Sequence, residues 1–309
     1  MKYAVIDISS SSITMTVVDG ETNETLGKER ETFSVLHYME NGNSLSRRGI
    51  ERLSDTVAAM KKAAQNFGAD LLYLMSTASM RRTANVGEVS DAILQRTGLT
   101  VNFLDAGKEV YCDYAANAEY AGEEGGALLL DVGGASTEIC NLSDPGANGM
   151  YSLDFGFINL HTKFVDKVQP DKEEGEKIRR YLKKKFEKAK IPGGGACRTL
   201  VLAGSTSLAL YDIYVNYAKE QPAPVREMDG KKFKKMTDYL LDGPGRSRLL
   251  LEAAPDKMYS AGIVAVYVWA LYKRLGAERL IVSDRGVKEG YLTLVRKGVF
   301  RAAGYDLKK

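Results

Sequence analysis

Two kinds of hydrophobic pattern alternate along this chain. Short β-branched runs at residues 2–8 and 13–19, separated by a serine-rich turn, predict a β-hairpin. Apolar residues at helical spacing over 49–68 predict a long helix with glycine at both ends. Further strands are predicted at 71–77, 99–105, 198–204 and 277–284, and further helices at 87–98, 107–121, 157–168, 173–190, 230–241 and 255–276. Antiparallel strands followed by strand–helix alternation predict an α/β layered fold.

One short pattern occurs twice. The segment "YAVIDISSSSITM" (3–15) matches "ALLLDVGGASTEI" (127–139) after a shift of 124 residues. Each copy has an apolar run, an Asp, one apolar residue and a turn of small residues that ends in serine. This repetition predicts two similar domains that face each other across a cleft, with one turn from each pointing into it. The polar, glycine-rich segment 122–126 divides the predicted domains, 1–124 and 125–309.

Both turns have the composition of an anion-binding loop. Glycine lets backbone N–H groups approach a phosphate closely, and serine or threonine hydroxyls add further donors. An Asp at the head of the loop can hold Mg²⁺ directly or through water. An ordinary tight turn explains a single segment of this kind equally well. Two matched copies favour phosphate binding.

The order of the motifs along the chain resembles the exopolyphosphatase / guanosine pentaphosphate phosphohydrolase (Ppx/GppA) family. The segment "DVGGASTE" (131–138) resembles the DIGGGSTE motif of that family, and "VIDISSSSI" (5–13) resembles its first phosphate loop. Segments 76–85, 102–115, 202–209 and 280–292 resemble further family motifs in the same order. The resemblance covers nearly the whole chain. It implies two ribonuclease H-like domains of the actin, sugar kinase and chaperone ATPase superfamily that flank a cleft.

The resemblance also implies a reaction and a set of site residues. The expected reaction is Mg²⁺- or Mn²⁺-dependent hydrolysis of terminal phosphoanhydride bonds in polyphosphate or guanosine pentaphosphate, which releases orthophosphate. Glu109 aligns with the catalytic Glu that activates water, although an alignment shifted by one residue places Val110 there. Glu138 is expected to orient water. The implied metal ligands are Asp7, Asp131 and Glu138, and the implied phosphate-binding residues are Ser10, Ser11, Ser12, Arg81, Gly133, Gly134, Ala135, Ser136 and Thr137.

Four departures from the family pattern leave another function open. Ser9 replaces the glycine two residues after the first Asp, and Ala135 replaces a loop glycine. The family usually has an Arg or Ser near Asn159, so a basic contact is missing there, and Lys288 replaces an Arg. A protein that senses polyphosphate, guanosine pentaphosphate or guanosine tetraphosphate without hydrolysing it is the alternative. A sugar or acid kinase on the same fold is a third hypothesis, but no residue pattern selects a sugar.

Composition narrows the partners and the location. The 309 residues carry a formal net charge of +3, which gives no general attraction to nucleic acid or membrane. Three widely spaced cysteines, the absence of a signal-peptide pattern and an apolar helix (261–276) too short to span a bilayer predict a cytoplasmic protein. A homodimer is compatible with the resemblance.

The helix predicted at 173–190 has many basic residues. Ile178, Leu182 and Phe186 form one apolar stripe, and eight lysines and arginines lie on the remaining surface. A solvated charged face explains this pattern, and so does a track for a long polyphosphate chain. Nucleic acid is disfavoured because aromatic residues do not interleave with the basic ones for base stacking.

Overall fold

The computed structural model describes residues 1–22, 24–40, 43–77, 80, 83–146 and 149–308, apart from the side chain of Leu36. The chain divides into two compact units. The first contains Met1–Glu109 and Tyr291–Lys309, and the second contains Val110–Gly290. These bounds differ from the predicted domains 1–124 and 125–309, and the assignment of domains stays a prediction.

The strands are, in chain order, β1 (Lys2–Ile8), β2 (Ser12–Asp19), β3 (Thr25–Thr32), β4 (Met39–Glu40), β5 (Ser44–Leu45), β6 (Leu71–Ser76), β7 (Val101–Phe103), β8 (Ala127–Val132), β9 (Thr137–Asn141), β10 (Met150–Leu153), β11 (Thr199–Ala203), β12 (Glu227–Met228), β13 (Arg279–Val282) and β14 (Gly304–Asp306). The helices are α1 (Arg47–Asn66), α2 (Val86–Thr97), α3 (Ala106–Ala116), α4 (Phe157–Phe164), α5 (Lys172–Lys188), α6 (Ser205–Ala218), α7 (Gly230–Asp242), α8 (Arg246–Ala253), α9 (Ala261–Leu275) and α10 (Val287–Arg296). This mixture confirms the predicted α/β class.

The sheet of the first unit is built around β1. Antiparallel β2 and β3 follow on one side, and parallel β6 lies on the other. The far edge of β6 is shared by β14, which pairs with Leu71–Tyr73, and β7, which pairs with Leu74–Ser76. Helix α1 packs its apolar stripe into the core of this unit because Leu53, Val57 and Ala64 recur at helical spacing.

The sheet of the second unit repeats this arrangement in the order β10-β9-β8-β11-β13-β12. Strands β8, β11 and β13 are parallel, and β9 and β10 extend the sheet antiparallel to β8. Helix α9 runs through the core and buries ten of its fifteen residues, which explains its almost wholly apolar sequence. The hairpins β1–β2 and β8–β9 therefore occupy the same place in their sheets, as the shift of 124 residues predicts.

Several elements differ from the sequence prediction. Strand β3 was not predicted because most of its side chains are polar and exposed. The helix predicted at 255–276 begins only at Ala261, since Pro255–Lys257 forms a separate 3₁₀ turn. Among the described residues, no helix is both long enough and apolar enough to cross a membrane.

A glycine contact between α3 and α10 generates a stability prediction. A Cβ at Gly290 would lie closer than 3.0 Å to the backbone of Cys112, whereas one at Gly87 in α2 would meet no atom within 4 Å. We expect Gly290→Ala to lower the free energy of unfolding by about 1–3 kcal/mol or more. The matched control, Gly87→Ala, should leave it unchanged or raise it by up to about 1 kcal/mol. Urea unfolding measures both, and equal stability of the two variants would contradict this packing.

Candidate active site

The first candidate loop is the turn between β1 and β2. Its ends are closed by the Ser9 N–H and the Ser9 hydroxyl, which both donate to the carbonyl oxygen of Ser12 at 3.0 and 2.9 Å. The carbonyls of Ser10 and Ser11 accept from the N–H groups of Val35 and Phe33. The loop carbonyls therefore face the segment that follows β3.

The second candidate loop, between β8 and β9, is held in the same way. The carbonyls of Gly133 and Gly134 accept from the N–H groups of Phe157 and Ile158, both at 3.0 Å. A Cβ at Gly156 would lie closer than 3.0 Å to the backbone of both loop glycines, so only glycine allows this approach. The N-terminal turn of α4 is therefore what fixes the second loop.

The carbonyls of the two loops accept hydrogen bonds, but several of the loop N–H groups have no acceptor among the described residues. Within the described part of the chain, the N–H groups of Ser10, Ser11, Gly134 and Ala135 donate to no protein group. Backbone carbonyls that are occupied and neighbouring N–H groups that are not occupied form a concave site for an anion. Each loop therefore has backbone N–H groups that are available to an anion.

Ser9 is accommodated without strain. It has no positive φ, and neither has its counterpart Gly133, where a Cβ would lie 3.1 Å from the carbonyl oxygen of Ser136. The serine hydroxyl forms a hydrogen bond across this short gap to the equivalent carbonyl, that of Ser12. The replacement of glycine at position 9 thus closes the turn and leaves its backbone amides in place.

Two of the predicted metal ligands are neighbours. Asp131 on β8 pairs directly with Glu138 on β9, which places both side chains on one face of the sheet. Glu138 is buried, with 4% of its surface exposed, and accepts a hydrogen bond from Ser152 at 3.2 Å. Two carboxylates directly opposite each other repel, so this pair favours a bound cation.

The surroundings of Asp131 make its negative charge costly. Gly204 has a positive φ of 87°, and a Cβ there would lie closer than 3.0 Å to the Asp131 carboxylate. Burial raises the pKa of Asp131 to about 6, and the positive charge of Lys288 opposes this shift. Lys288 thus contributes its charge at this position although it lacks the planar guanidinium of an arginine.

Lys257 also lies near this site, and no sequence motif predicted it. Lys257 is 4% exposed, and its Nζ lies 3.4 Å from Ser205 Oγ at the start of α6 and 3.1 Å from Asp256. Buried lysines are rare, and a helix N-terminus with a lysine beside it attracts anions. The 3₁₀ turn that carries Lys257 brings it beside α6 only in the folded unit.

The remaining predicted residues have the following positions. Glu109 lies in the first turn of α3, is 4% exposed, and its N–H donates to the carbonyl of Asp105. Val110, the residue that the shifted alignment would place at the catalytic position, is 1% exposed and packs in the core of the second unit. Burial does not separate the two alignments, and the choice of Glu109 stays a prediction. Asp7 is 9% exposed and pairs with Thr14 in the first hairpin. Arg81 lies outside the described residues.

The buried carboxylate of Asp113 was not predicted to belong to this region. Asp113 on α3 is fully buried, and a Cβ at Gly286 would lie 3.8 Å from its Oδ1. Helix α10 begins directly after this glycine, whose N–H donates to Glu289 at 2.9 Å. The turn "SDRG" therefore ends beside Asp113, an arrangement that depends on the tertiary fold.

The donors fit a divalent cation. No group of three or more His, Cys, Asp or Glu side chains with metal-site geometry occurs in the ranges that the structure describes. Mg²⁺ is commonly bound through one or two carboxylates, water and substrate phosphates, without a complete set of protein ligands. Asp131 and Glu138, beside a loop with unoccupied backbone N–H groups, match that requirement.

Comparison with solved structures identifies the fold. An exopolyphosphatase from Cytophaga hutchinsonii superimposes with a TM-score of 0.84 at 17% identity, over 98% of this chain and all of that chain. The Ppx/GppA protein of Aquifex aeolicus gives a TM-score of 0.78 at 23% identity, over 97% and 99%. The fold is therefore the actin-like ATPase fold, as the resemblance implied.

Sequence comparison identifies the family. The profile of the Ppx/GppA phosphatase family matches residues 14–296, so the chain belongs to this family. A guanosine-5'-triphosphate,3'-diphosphate pyrophosphatase of Vibrio cholerae is 28% identical over 169 residues, which are 53% of this chain and 34% of that protein. Exopolyphosphatase 1 of Mycobacterium leprae is 22% identical over 214 residues, 68% of this chain and 61% of the relative. The chain thus spans between a third and three fifths of the length of these relatives.

The raised pKa of Asp131 generates a prediction for Asp131→Asn. The folded chain binds a proton at this carboxyl more tightly than the unfolded chain does, so the ionised group lowers stability above pH 6 and not below pH 4. We expect the variant to be more stable than the wild type at pH 8. The difference should be at most about 3 kcal/mol, reduced by solvent screening because Asp131 is partly exposed. It should fall as the pH is lowered from 6 to 4.

Urea unfolding at pH 8 and pH 4, with and without Mg²⁺, measures this effect. Mg²⁺ should stabilise the wild type and have little effect on Asp131→Asn, because the carboxylate that would bind the cation is lost. The control Asp166→Asn changes an exposed aspartate and should show neither effect. A variant that is less stable than the wild type at pH 8 in the absence of Mg²⁺ would contradict the account of this site.

Proposed function

We propose that this protein hydrolyses the terminal phosphoanhydride bond of inorganic polyphosphate or guanosine pentaphosphate and releases orthophosphate. The observation that supports this most is the pair of loops whose carbonyls are occupied and whose amides are available, one of them beside Asp131 and Glu138. The two relatives named above support the two substrates, one as an exopolyphosphatase and one as a guanosine-5'-triphosphate,3'-diphosphate pyrophosphatase. A cytoplasmic location and a homodimer stay predictions.

The phosphates are bound mainly by backbone groups in this proposal. The donors are the unoccupied N–H groups of Ser10, Ser11, Gly134 and Ala135, with serine hydroxyls of the two loops. Thr137, also predicted to bind phosphate, is fully buried and its hydroxyl donates to the Phe155 carbonyl, so that hydroxyl is not available. Fixed donors need no rearrangement when negative charge accumulates on the phosphate oxygens, so they stabilise the transition state effectively. Arg81, which aligns with the family's Arg, would add a charged contact.

A divalent cation completes the charge balance. Asp131 and Glu138 are the residues of the second unit that would hold Mg²⁺ or Mn²⁺, and Asp7 of the first unit stays a predicted metal ligand. When bound, the cation neutralises charge on the phosphate oxygens. The raised pKa of Asp131 means that protons compete with the cation near pH 6, so metal binding should weaken below that pH.

Glu109 is the proposed general base. Its carboxylate takes a proton from a water molecule, whose oxygen attacks the terminal phosphorus. The bond between that phosphorus and the bridging oxygen breaks, and the shortened chain leaves with the bridging oxygen. The first turn of α3 holds the Glu109 backbone, and burial limits the number of orientations of its side chain.

The geometry gives less support to a sensor that does not hydrolyse its ligand. Ser9 was the main departure that favoured such a protein. Its hydroxyl forms a hydrogen bond within the turn, and the amides of Ser10 and Ser11 remain available. The loop departs in sequence from the family pattern but keeps the groups that bind a phosphate.

Glu109→Gln tests the proposal. The substitution preserves size and hydrogen bonding but removes the basic carboxylate. Orthophosphate release from polyphosphate and guanosine pentaphosphate should fall by about two to four orders of magnitude. Substrate binding should persist or tighten, because a negative charge beside a polyanion is removed. The control Glu124→Gln changes an exposed glutamate and should keep wild-type turnover.

Two results would contradict the proposal in different ways. Release of no orthophosphate by the wild type from either substrate, with Mg²⁺ or Mn²⁺, would reject the hydrolase. Near-wild-type release by Glu109→Gln would preserve the hydrolase but reject Glu109 as its base, and Glu138 would become the next candidate.

A further inference from the structure

The net charge of the chain is close to zero, but its positive charges are concentrated in two segments. Residues 179–190 contain seven Lys or Arg and one Glu, and residues 230–235 contain four Lys and no acid. The whole chain carries +3, so the residues outside these two segments carry a net charge of −7. Positive charge is thus concentrated in the second half of α5 and the first half of α7.

The fold brings these two segments together. A Cβ at Gly175 would contact the side chain of Leu241, and Arg179 forms an ion pair with Asp238 at 3.6 Å. These two contacts show that α5 and α7 are antiparallel neighbours. With a rise of about 1.5 Å per residue in both helices, Lys183 and Lys184 lie near the level of Lys231 and Lys235. The two helices form one basic surface, which we call the α5–α7 basic surface.

Most of the charge on this surface is not neutralised by the protein. Arg179 pairs with Glu176 and Asp238, and Lys232 and Lys234 have acidic partners on or near α7. Lys185 is half-buried against the rings of Phe155 and Tyr181. The other basic residues are exposed and form no ion pair with any described residue; they are Arg180, Lys183, Lys184, Lys188, Lys190, Lys231 and Lys235.

Structural stability does not explain this arrangement. Basic residues near the C-terminus of α5 are favourable to the helix dipole, but Lys231 and Lys232 lie at the N-terminus of α7, where positive charge is unfavourable. Like charges one turn apart on the same helix, such as Lys184 and Lys188, also repel. A bound anion would relieve both costs.

The surface lies beside the second candidate loop. The Nζ of Lys185 is 5.6 Å from the centre of the Phe155 ring, and the Phe155 carbonyl accepts a hydrogen bond from Thr137 Oγ1 at 2.9 Å. Thr137 is the first residue of β9, directly after that loop. A phosphate chain bound at the loop could therefore continue along α5.

We propose that the α5–α7 basic surface is a second, non-catalytic binding site for long-chain inorganic polyphosphate. The inference rests on the proposed function for its choice of ligand. The aromatic residues Tyr181 and Tyr239 on these helices are half-buried, so the surface lacks exposed rings on which bases could stack. Its exposed residues are charged and offer no apolar wedge for a membrane. A flexible polyanion without bases or lipid chains matches this chemistry.

The test replaces four unpaired lysines, Lys183, Lys184, Lys231 and Lys235, with Gln in one variant. The control replaces four exposed lysines elsewhere, Lys28, Lys62, Lys167 and Lys297, with Gln. Equilibrium binding of long-chain polyphosphate and of tripolyphosphate is measured for both variants and the wild type over a range of salt concentrations. Circular dichroism confirms that each variant is folded.

For the test variant, the Kd for long-chain polyphosphate should rise on the order of tenfold at physiological salt, and the slope of log K against log salt should become shallower by about 2–3. Tripolyphosphate has too few phosphates to occupy the loop and also extend along α5, so its Kd should change by less than about twofold. The control variant should behave as the wild type. Binding is measured without turnover, so a wild type that releases no orthophosphate would reject the proposed function and leave this inference standing.

Two results would overturn the inference. One is an equal Kd for long-chain polyphosphate in the test and control variants. The other is tighter binding of single-stranded RNA or of anionic vesicles than of long-chain polyphosphate by the wild type, with loss of that binding in the test variant.

Discussion

The pairing of two carboxylates across β8 and β9 is the constraint on which the second unit depends. Asp131 and Glu138 face the same side of the sheet, beside a loop held by the start of α4. Close packing at Gly204 leaves the Asp131 carboxylate poorly solvated, which raises its pKa to about 6. Such a pair is unfavourable without a cation. The stability lost here is the physical basis of the metal and phosphate site that we propose.

The two loops share a backbone but differ in chemistry. Ser9 and Ser12 occupy the positions in the first turn that Gly133 and Ser136 occupy in the second. In both turns the loop carbonyls accept hydrogen bonds from residues outside the hairpin. The register places Thr14 opposite Asp7, where the second hairpin has Glu138 opposite Asp131. The acidic pair therefore occurs only in the second hairpin. Both loops have unoccupied N–H groups, whereas only the second has two carboxylates side by side for a cation.

The sequence supported some of these features and not others. Both hairpins and the central parallel strands were predictable because apolar runs and small-residue turns are local signals. Strand β3 was not, because its polar side chains leave pairing with β2 as its main determinant. Lys257 and Asp113 reach their neighbours only through tertiary packing. The basic residues of α5 were predictable because they form a local pattern. The antiparallel contact of α5 with α7, which completes the α5–α7 basic surface, was not, because it depends on the tertiary fold.

Anomalous X-ray scattering from crystals grown with Mn²⁺ and a slowly hydrolysed polyphosphate analogue tests the central claim most directly. The account predicts an anomalous peak at about 2 Å from carboxylate oxygens of Asp131 and Glu138. It also predicts phosphate density against the amides of Gly134 and Ala135. Phosphate bound at that loop with no manganese at Asp131 or Glu138, or manganese bound only at other residues, would contradict it.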